Sequence, residues 1–392
     1  MNPIMLVKST FYHEDETKKV LCDFITQSKQ LSMGTKCREF EETFAKWQGK
    51  KYCVLFNSGS SANLALIQAA LNSNLLKPKD TVAFSGITWA TNVMPLIQLG
   101  LKPYPIDVEI QTLNCSSSIL KKAYEKKPFQ ALFLTNLLGL ADDITNIKKF
   151  CKKNGILLFE DNCESLGSVS NGIKLGSYGF ASTFSFFVGH HMSTIEGGAI
   201  CTDNEEFTKQ LKMGRAHGWD RQLKKAEQKS LRKKYRVSDF FAKYTFYDLA
   251  YNLRPTEITG FLGLNQMQYL DEIIRKREEN FFALQEIYDN DQEFYPLKVK
   301  LDTISSFAIP VICKNKKVLE KYVTLCDKNK IEVRPIVGGM MSTQPFYKKY
   351  IKEKFDLPNS EIINNYGFYF GNNPELTTEE IKYILSIFKN NK

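Results

Sequence analysis

Short apolar segments that alternate with helical patterns constrain the fold of this chain more than any other feature. Seven apolar runs have the length of β-strands, at residues 52–56, 81–84, 103–106, 131–135, 156–160, 181–187 and 198–202. Helical stretches such as NLALIQAALN and ITNIKKFCKKNG separate the first five runs. This order predicts an α/β fold, with a mostly parallel seven-stranded sheet flanked by helices and with ligands beyond the carboxyl ends of the strands.

The pattern changes after about residue 260. A long charged helix pattern comes first, followed by SSFAIPVI, another helix, IEVRPIV and a final helix pattern, TTEEIKYILSIFKN. At 392 residues the chain is long enough for two domains, because single cores rarely grow beyond ~250 to 300 residues. We therefore predict a large α/β domain over residues 1–260 and a smaller α+β domain over residues 261–392.

The composition indicates the location of the protein and the state of its cysteines. No run of ~18 apolar residues exists and the first residues lack a secretion signal, so we expect a cytoplasmic protein without a membrane partner. Nine cysteines, none spaced as C-x-C or C-x-x-C, favour reduced thiols over a metal site or disulfides.

Charge points to an anionic partner. The net charge is +10, and much of the excess lies in residues 221–236, which form either a solvated basic loop or a site that attracts a phosphorylated substrate. Nucleic acid is not expected, because the segment lacks interleaved aromatic residues and a recognisable binding module.

The first candidate site is the stretch FNSGSSANLALIQAAL. A strand runs into Ser58 and Gly59, and a helix begins at once, so that free N–H groups and the positive end of the helix dipole meet there. A phosphate is the natural occupant. A plain Ser or Asn helix cap remains the alternative.

Two further candidates lie at strand ends. Asp161, in ILLFEDNCESLGS, is placed to hold a protonated heterocyclic nitrogen, since a pyridinium needs an anionic neighbour; a helix cap or surface acid is the alternative. Trp89, in ITWATNVMPLIQLG, is placed either to stack on a flat ring or to pack in the core.

The segment SFFVGHHMSTIEGG holds two of the four histidines in the chain. The order SGSSAN, aromatic loop, ED at a strand end, SFF-x-x-H and GG resembles that of sugar aminotransferases and dehydratases of the pyridoxal-phosphate (PLP) fold type I superfamily, which have an aspartate-aminotransferase-like fold. The closing NNPELTTEEI is similar to the carboxyl-terminal signature of that family.

One position departs from the aminotransferase pattern. Family aminotransferases carry a cofactor-binding lysine five residues after the serine of the S-F/Y motif, where this chain has His190. Imidazole forms no stable Schiff base, so PLP or pyridoxamine phosphate (PMP) would be held non-covalently. An imidazole with a pKa near ~6.5 exchanges protons at neutral pH, which favours an elimination catalysed by His190. His191 is expected to have a structural role.

With histidine in place of the lysine, the chain resembles the 3-dehydratase branch of the family. Two kinds of enzyme are known in this branch: one binds an iron–sulfur cluster through cysteines that include a C-x-C motif, and the other has no cluster and takes its amino group from glutamate. This chain has no C-x-C motif, so the resemblance implies the second kind. The expected reaction removes the C3 hydroxyl of a nucleotide-linked 4-keto-6-deoxy sugar, with GDP as the expected nucleotide, and releases ammonia in the synthesis of 3,6-dideoxy sugars of surface glycans. The alternatives are a nucleotide-sugar 4-aminotransferase and a non-catalytic cofactor-binding relative.

The resemblance also implies roles for individual residues. It implies a cofactor phosphate bound by Ser58, Gly59 and Ser185, a ring stacked on Trp89, a pyridine nitrogen paired with Asp161 and a 3-hydroxyl edge held by Glu164. Asn252 would reach that phosphate from the other subunit of a homodimer with its active site at the interface. Substrate contacts are expected from His217, Arg221 and Arg254, since arginines suit a diphosphate, and Arg334 would receive the glutamate carboxylate.

Overall fold

The computed structural model describes residues 2–289 and 292–389. The strands, in chain order, are β1 (Tyr52–Phe56), β2 (Thr81–Ser85), β3 (Lys102–Ile106), β4 (Ala131–Thr135), β5 (Leu157–Asp161), β6 (Val169–Ser170), β7 (Ile173–Lys174), β8 (Ala181–Ser185), β9 (Gly198–Thr202), β10 (Ala308–Ile312), β11 (Val333–Pro335) and β12 (Gly367–Gly371).

The α-helices are α1 (Glu14–Gln27), α2 (Thr35–Gln48), α3 (Gly59–Asn72), α4 (Met94–Gln98), α5 (Ser117–Lys126), α6 (Ile144–Lys153), α7 (Glu205–Arg215), α8 (Lys225–Tyr235), α9 (Glu257–Met267), α10 (Leu270–Ala283), α11 (Lys316–Lys328), α12 (Pro345–Tyr350), α13 (Pro358–Tyr366) and α14 (Thr378–Lys389). Short 3-10 helices cover Ala90–Asn92, Leu137–Gly139, Phe241–Tyr244, Gln285–Asp289 and Met341–Thr343.

The larger sheet has seven strands in the order β1-β9-β8-β5-β4-β2-β3. Strands β8, β5, β4, β2 and β3 are parallel, whereas β9 runs antiparallel to both of its neighbours. All seven predicted strand segments therefore form this sheet, with ends that differ by at most two residues from the prediction. The carboxyl ends of β1, β2, β4, β5 and β8 meet at one edge, where the sequence predicts a ligand.

Helices cover both faces of the larger sheet, which explains why its strands are continuously apolar. Every residue of β4 is buried. Phe133 and Phe159 point to one hydrophobic core, and Leu132 and Leu158, next to them in sequence, point to another. This alternation buries both sides of each strand.

A smaller antiparallel sheet has the order β10-β12-β11. The predicted boundary at residue 260 lies inside α9, a helix that packs along α2, so we propose that the division comes after this helix. The N-terminal segment also crosses the division. Ile4 pairs with Ile331 in a parallel bridge, and Leu6 N–H donates to Glu332 Oε2 at 3.0 Å.

The basic segment 221–236 is largely helical, which differs from the solvated basic loop that was one of its two sequence alternatives. Helix α8 covers Lys225–Tyr235. Lysine and arginine are good helix formers, and Glu227 accepts a hydrogen bond from Lys224 N–H at 2.8 Å, which satisfies a free amide at the helix start.

Membrane-spanning helices and metal-binding groups are both absent from the described residues. No helix there combines the length and apolar character that crossing a bilayer requires. Nor does this part of the chain bring together three or more histidine, cysteine or acidic side chains in a group able to hold a metal ion.

Candidate active site

A cavity of about 480 Å³ lies where the carboxyl ends of the parallel strands face the smaller sheet. Eight of the predicted site residues line it: Ser58, Gly59, Trp89, Asp161, Glu164, Ser185, His190 and Arg334. Its volume falls within the range of about 300 to 1,000 Å³ that is typical of small-molecule sites.

Ser58 and Gly59 form a close junction with Ser185. Ser58 caps α3, because its Oγ accepts a hydrogen bond from Ser61 N–H at 3.0 Å. A Cβ atom at Gly59 would lie 2.7 Å from Ser185 Cβ, so the backbone approaches that strand end as only glycine permits. The N–H groups of Gly59 and Ser60 have no acceptor among the described residues. The junction is therefore a cradle for an anion.

Asp161 ends β5 and is 4% exposed. Its Oδ2 accepts hydrogen bonds from Asn92 Nδ2 at 2.6 Å and Asn63 Nδ2 at 3.1 Å, and its Oδ1 accepts one from Cys163 N–H at 2.9 Å. All three donors are neutral, and no cationic side chain in the described part of the chain pairs with this carboxylate. A cationic ligand atom would complete the site, because a buried charge without a counter-charge is costly.

Glu164 lies on the turn that follows β5. Burial raises the pKa of its carboxyl to about 8, the negative charge of Asp161 adds to the rise, and the hydrogen bond from Leu138 N–H to Oε2 at 2.9 Å opposes it. The carboxyl is therefore largely protonated at neutral pH. In that state it can donate a hydrogen bond to a ligand oxygen.

Trp89 is 53% exposed although it is large and apolar. It follows β2 and lines the cavity. The backbone beside it is held closely, since a Cβ at Gly338 would lie 1.9 Å from Thr88 O. An indole in this position offers a flat face to a ring in the cavity.

These features fit PLP. The anion cradle at Gly59 matches its phosphate, the unpaired carboxylate of Asp161 matches a protonated pyridine nitrogen, and the exposed indole of Trp89 matches its ring. The fit rests on residues from four different strand ends, which the sheet brings to one edge.

His190 lies on the loop between β8 and β9, and its ring lines the cavity. Its Nδ1 lies 2.6 Å from Cys163 O; because a carbonyl only accepts, Nδ1 carries the hydrogen. Burial lowers the pKa of this imidazole to about 4, and the field of Arg277 contributes, although the Cys163 hydrogen bond and Asp161 oppose the shift. The pKa is thus lower than the value near 6.5 assumed from sequence. The ring is neutral at pH 7, and Nε2, which makes no hydrogen bond among the described residues, carries a lone pair.

His191 has different surroundings. It is 3% exposed, does not line the main cavity, and its Nε2–H donates to Ser305 O at 2.9 Å. Burial lowers the pKa of this imidazole well below its usual value. His191 therefore ties the loop to the segment before β10.

Four predicted site residues do not line the cavity: Asn252, His217, Arg221 and Arg254. They gather around Trp219 instead. The Arg221 and Arg254 guanidinium carbons lie 3.8 and 5.7 Å from the centre of that ring, and the His217 ring centre lies 4.8 Å from it. Asn252 Oδ1 accepts a hydrogen bond from Arg254 Nε at 2.9 Å. Within one subunit, the structure therefore divides the predicted site into two clusters.

Arg334 lines the cavity, but an internal carboxylate already contacts it. Its Nη2 and Nε donate to Glu332 Oε1 at 2.6 and 3.1 Å. The Arg334 side chain is 60% exposed. An incoming carboxylate can therefore reach its guanidinium.

Sequence reasoning missed several residues of the site. Asn63 and Asn92, which hold Asp161, are polar residues on buried elements, and that contrast was the available signal. Phe307 and Tyr369 line the cavity from the smaller sheet, and Arg277 reaches it from α10. No local pattern marks these three, because only the tertiary fold brings them there.

The sequence of this chain is similar to those of known proteins over nearly its whole length. The profile of the DegT/DnrJ/EryC1/StrS aminotransferase family matches residues 13–389. The GDP-4-keto-6-deoxy-D-mannose 3-dehydratase of Yersinia pseudotuberculosis is 32% identical over 383 residues, which cover 96% of this chain and 96% of that protein.

Two solved structures are similar throughout. The structure of Escherichia coli GDP-4-keto-6-deoxy-D-mannose-3-dehydratase with bound hydrated PLP is 32% identical, with a TM-score of 0.89, and covers 98% of this chain and 99% of that one. A GDP-4-keto-6-deoxymannose-3-dehydratase with a trapped PLP-glutamate geminal diamine is 31% identical, with a TM-score of 0.90, and covers 98% of this chain and 100% of that one.

These similarities confirm the predicted fold class and family. They also confirm the predicted cofactor class, since both solved relatives carry PLP. Non-covalent binding and the lack of an iron–sulfur cluster remain predictions. Because the profile and the relatives span nearly the whole chain, the chain belongs to the DegT/DnrJ/EryC1/StrS aminotransferase family.

Proposed function

We propose that this protein is a PLP- and PMP-dependent 3-dehydratase of a GDP-linked 4-keto-6-deoxy sugar that uses glutamate and releases ammonia. One observation carries the proposal. The position where the aminotransferases of the family have their cofactor lysine holds His190, whose Nδ1–H is committed to Cys163 O and whose Nε2 is free. Such a residue is a base without the means of covalent attachment.

Residues of the cavity wall would bind the cofactor without a covalent bond. The cradle at Ser58, Gly59 and Ser185 would hold its phosphate, and the Asp161 carboxylate would keep its pyridine nitrogen protonated. Trp89 would cover its ring, and protonated Glu164 would donate to its ring oxygen. When bound, the cofactor draws electrons away from the carbon attached to its amino nitrogen, so that a proton there becomes acidic.

His190 would move one proton between two places. Nε2 takes the acidic proton and becomes a cation, and then delivers it to the departing C3 oxygen, which leaves as water. The low pKa of His190 keeps the ring neutral before the first step and makes its cation a ready proton donor in the second. No free hydroxide forms.

Arg334 would bind the co-substrate that restores the amine. A glutamate carboxylate would replace Glu332 on the guanidinium, and the two groups are matched in charge and geometry. The amino group comes from glutamate and leaves as ammonia when the dehydrated product hydrolyses. Overall, each C3 hydroxyl removed converts one glutamate to 2-oxoglutarate and ammonia: the sugar is reduced by two electrons, glutamate is oxidised by two, and the water lost at C3 is balanced by water used in hydrolysis.

The second cluster would serve a second subunit. Large apolar side chains at residues 240–249 are exposed, and they lie beside the cluster around Trp219. A homodimer would cover them and bring Asn252, Arg221 and Arg254 to the cavity of the partner subunit, where they would bind phosphate groups. The cytoplasmic location and the surface-glycan pathway expected from the sequence are part of this proposal.

A product-mass experiment tests the proposed reaction. The protein would be incubated with PLP, glutamate and a panel of GDP-, CDP- and dTDP-linked 4-keto-6-deoxy sugars, while ammonia and product mass are followed. We expect loss of the C3 oxygen with the GDP sugar and one ammonia per turnover. A product that gains an amine instead would identify a 4-aminotransferase, and no turnover of any sugar would indicate a non-catalytic relative.

Variants of the adjacent histidines provide the matched comparison. His190→Asn should lower turnover by at least about a hundredfold, the usual contribution of a general base, with cofactor binding retained. His191→Asn should change turnover only a few fold, since its ring faces Ser305. Equal losses in the two variants would contradict the assignment of the base.

A further inference from the structure

Arg277, on α10, is a buried cation that the proposed reaction does not use. It is 4% exposed, and it lines both the main cavity and a smaller neighbouring one behind the histidine loop. No carboxylate of the described residues forms an ion pair with it. An unpaired buried charge is costly, so its retention calls for a physical reason.

The Arg277 guanidinium binds main-chain carbonyls of three segments. Nη1 donates to Asn372 O at 2.6 Å, to Phe307 O at 3.0 Å and to Ser306 O at 3.3 Å. Nη2 donates to His190 O at 3.4 Å. One side chain thus joins the histidine loop to the segment before β10 and to the turn after β12. The Phe307 main chain is held by the same contacts, and its ring lies 5.2 Å from the His190 ring.

Hydrogen bonding alone does not require a charge at this position. Neutral donors also satisfy carbonyl groups, and Arg277 Nε finds no partner among the described residues. Burial lowers the pKa of the guanidinium to about 9, yet the group remains a cation at neutral pH. Its field acts on both imidazoles and lowers the pKa of each.

We propose that Arg277 is a positioning residue that acts through His190: it fixes the histidine loop against the smaller sheet, and its unneutralised charge opposes protonation of the ring. The inference rests on the proposed function only for the role of His190 as a base. The contacts and the charge are independent of it.

Other titratable groups face His190 and enter the comparison. Those of the main cavity are Asp161, Cys163, Glu164, Glu196, Arg334 and Tyr369. On the other side, His191 adjoins the ring, and Tyr12 and Glu375 line the smaller cavity. None of these groups is substituted in an Arg277 variant, so a difference in the His190 pKa between variants measures the effect of the guanidinium.

Histidine titration by NMR tests the charge directly. The chain has four histidines, so the signals of ¹³C-labelled histidine can be assigned with His190→Asn and His191→Asn variants. In Arg277→Met the pKa of His190 should rise, because a nearby positive charge that opposes protonation is lost. Arg277→Lys keeps the charge and should leave that pKa nearly unchanged.

Arg275→Met is the matched control. Arg275 lies on the same helix, is exposed and pairs with Glu279 at 2.5 Å, so its removal should alter neither the titration nor turnover. An unchanged His190 pKa in Arg277→Met overturns the proposal. If Arg277→Met does not fold, Arg277→Gln replaces it, because glutamine keeps polar donors without the charge. An unchanged His190 pKa in Arg277→Gln would then overturn the proposal.

Turnover gives the second readout. Arg277→Lys loses most of the carbonyl contacts, so kcat should fall about tenfold while KM for the sugar stays within twofold. Wild-type kcat in this variant would overturn the positioning role. Because the NMR titration needs no substrate, a failure of the proposed dehydratase reaction would be distinguished from a failure of this inference.

Discussion

His190 and His191 are adjacent in sequence and share a lowered imidazole pKa, but they differ in their access to the main cavity. His190 lines the main cavity and donates to Cys163 O, whereas His191 is enclosed away from that cavity and donates to Ser305 O. The sequence pattern was sufficient to separate them, because the motif spacing places His190 where aminotransferases of the family have lysine. The pKa of His190 was not predictable, since it depends on burial and on Arg277, which is distant in sequence.

Acid stability tests the surroundings of the histidine pair. The folded-state pKa of His191 is below the unfolded value of ~6.5, so the unfolded chain binds more protons below that pH and stability falls as pH drops from ~6.5. His191→Asn should therefore lose less stability between pH 7 and pH 5 than the wild type. Urea midpoints at both pH values measure this. His13→Asn, at an exposed position, is the control; equal losses in all three proteins would contradict the enclosed surroundings of His191.

Helix α3 shows how one element combines a fold signal with a site signal. Its apolar run predicts a buried helix, and the small residues before it predict a phosphate cradle; the structure places both at the sheet edge. The strands of the larger sheet were equally predictable, because continuous apolar runs identify buried parallel strands. Helix α8 was not predicted, since charged and polar residues dominate its sequence and Gln228 is the one residue of the helix that is buried.

A methyl group at Gly59 tests the phosphate cradle. In Gly59→Ala the new Cβ would lie 2.7 Å from Ser185 Cβ, and neither atom is at the end of a flexible side chain. We expect PLP affinity to fall at least about tenfold, measured from the absorbance of the bound cofactor. Gly214→Ala, in α7 with nothing within 4 Å of its new Cβ, should retain affinity and gain about 0.5 to 1 kcal/mol of stability. Unchanged affinity in Gly59→Ala would contradict the cradle.

At the scale of the whole molecule, several large apolar side chains are exposed to solvent. Phe240, Phe241, Tyr244 and Leu249 are each between 69 and 79% exposed. Contiguous exposed apolar side chains usually mark an interaction surface. The resemblance assigned Asn252 to the other subunit but gave no subunit for His217, Arg221 and Arg254, which the structure places around Trp219 and outside the cavity.

Charge substitution at this surface tests the dimer. The double variant Phe241→Glu, Tyr244→Glu should shift the protein from dimer to monomer at micromolar concentration, because two buried carboxylates would remain unpaired in the interface. Sedimentation equilibrium measures the mass. Ile173→Glu, at a 42% exposed position of β7, should remain dimeric. A wild-type monomer, or a dimeric double variant, would contradict this assignment of the interface.

The contacts of the N-terminal segment determine when the cavity can be completed during synthesis. Leu6 and Val7 line the cavity, yet Leu6 is anchored by Glu332, and Lys8 pairs with Glu380 at 2.6 Å. Translation at about 5 to 20 residues per second therefore separates these partners by about 20 to 75 seconds. Residues 6–8 are therefore made long before the residues that they contact. A nascent chain still attached to the ribosome thus carries an open, unfinished cavity.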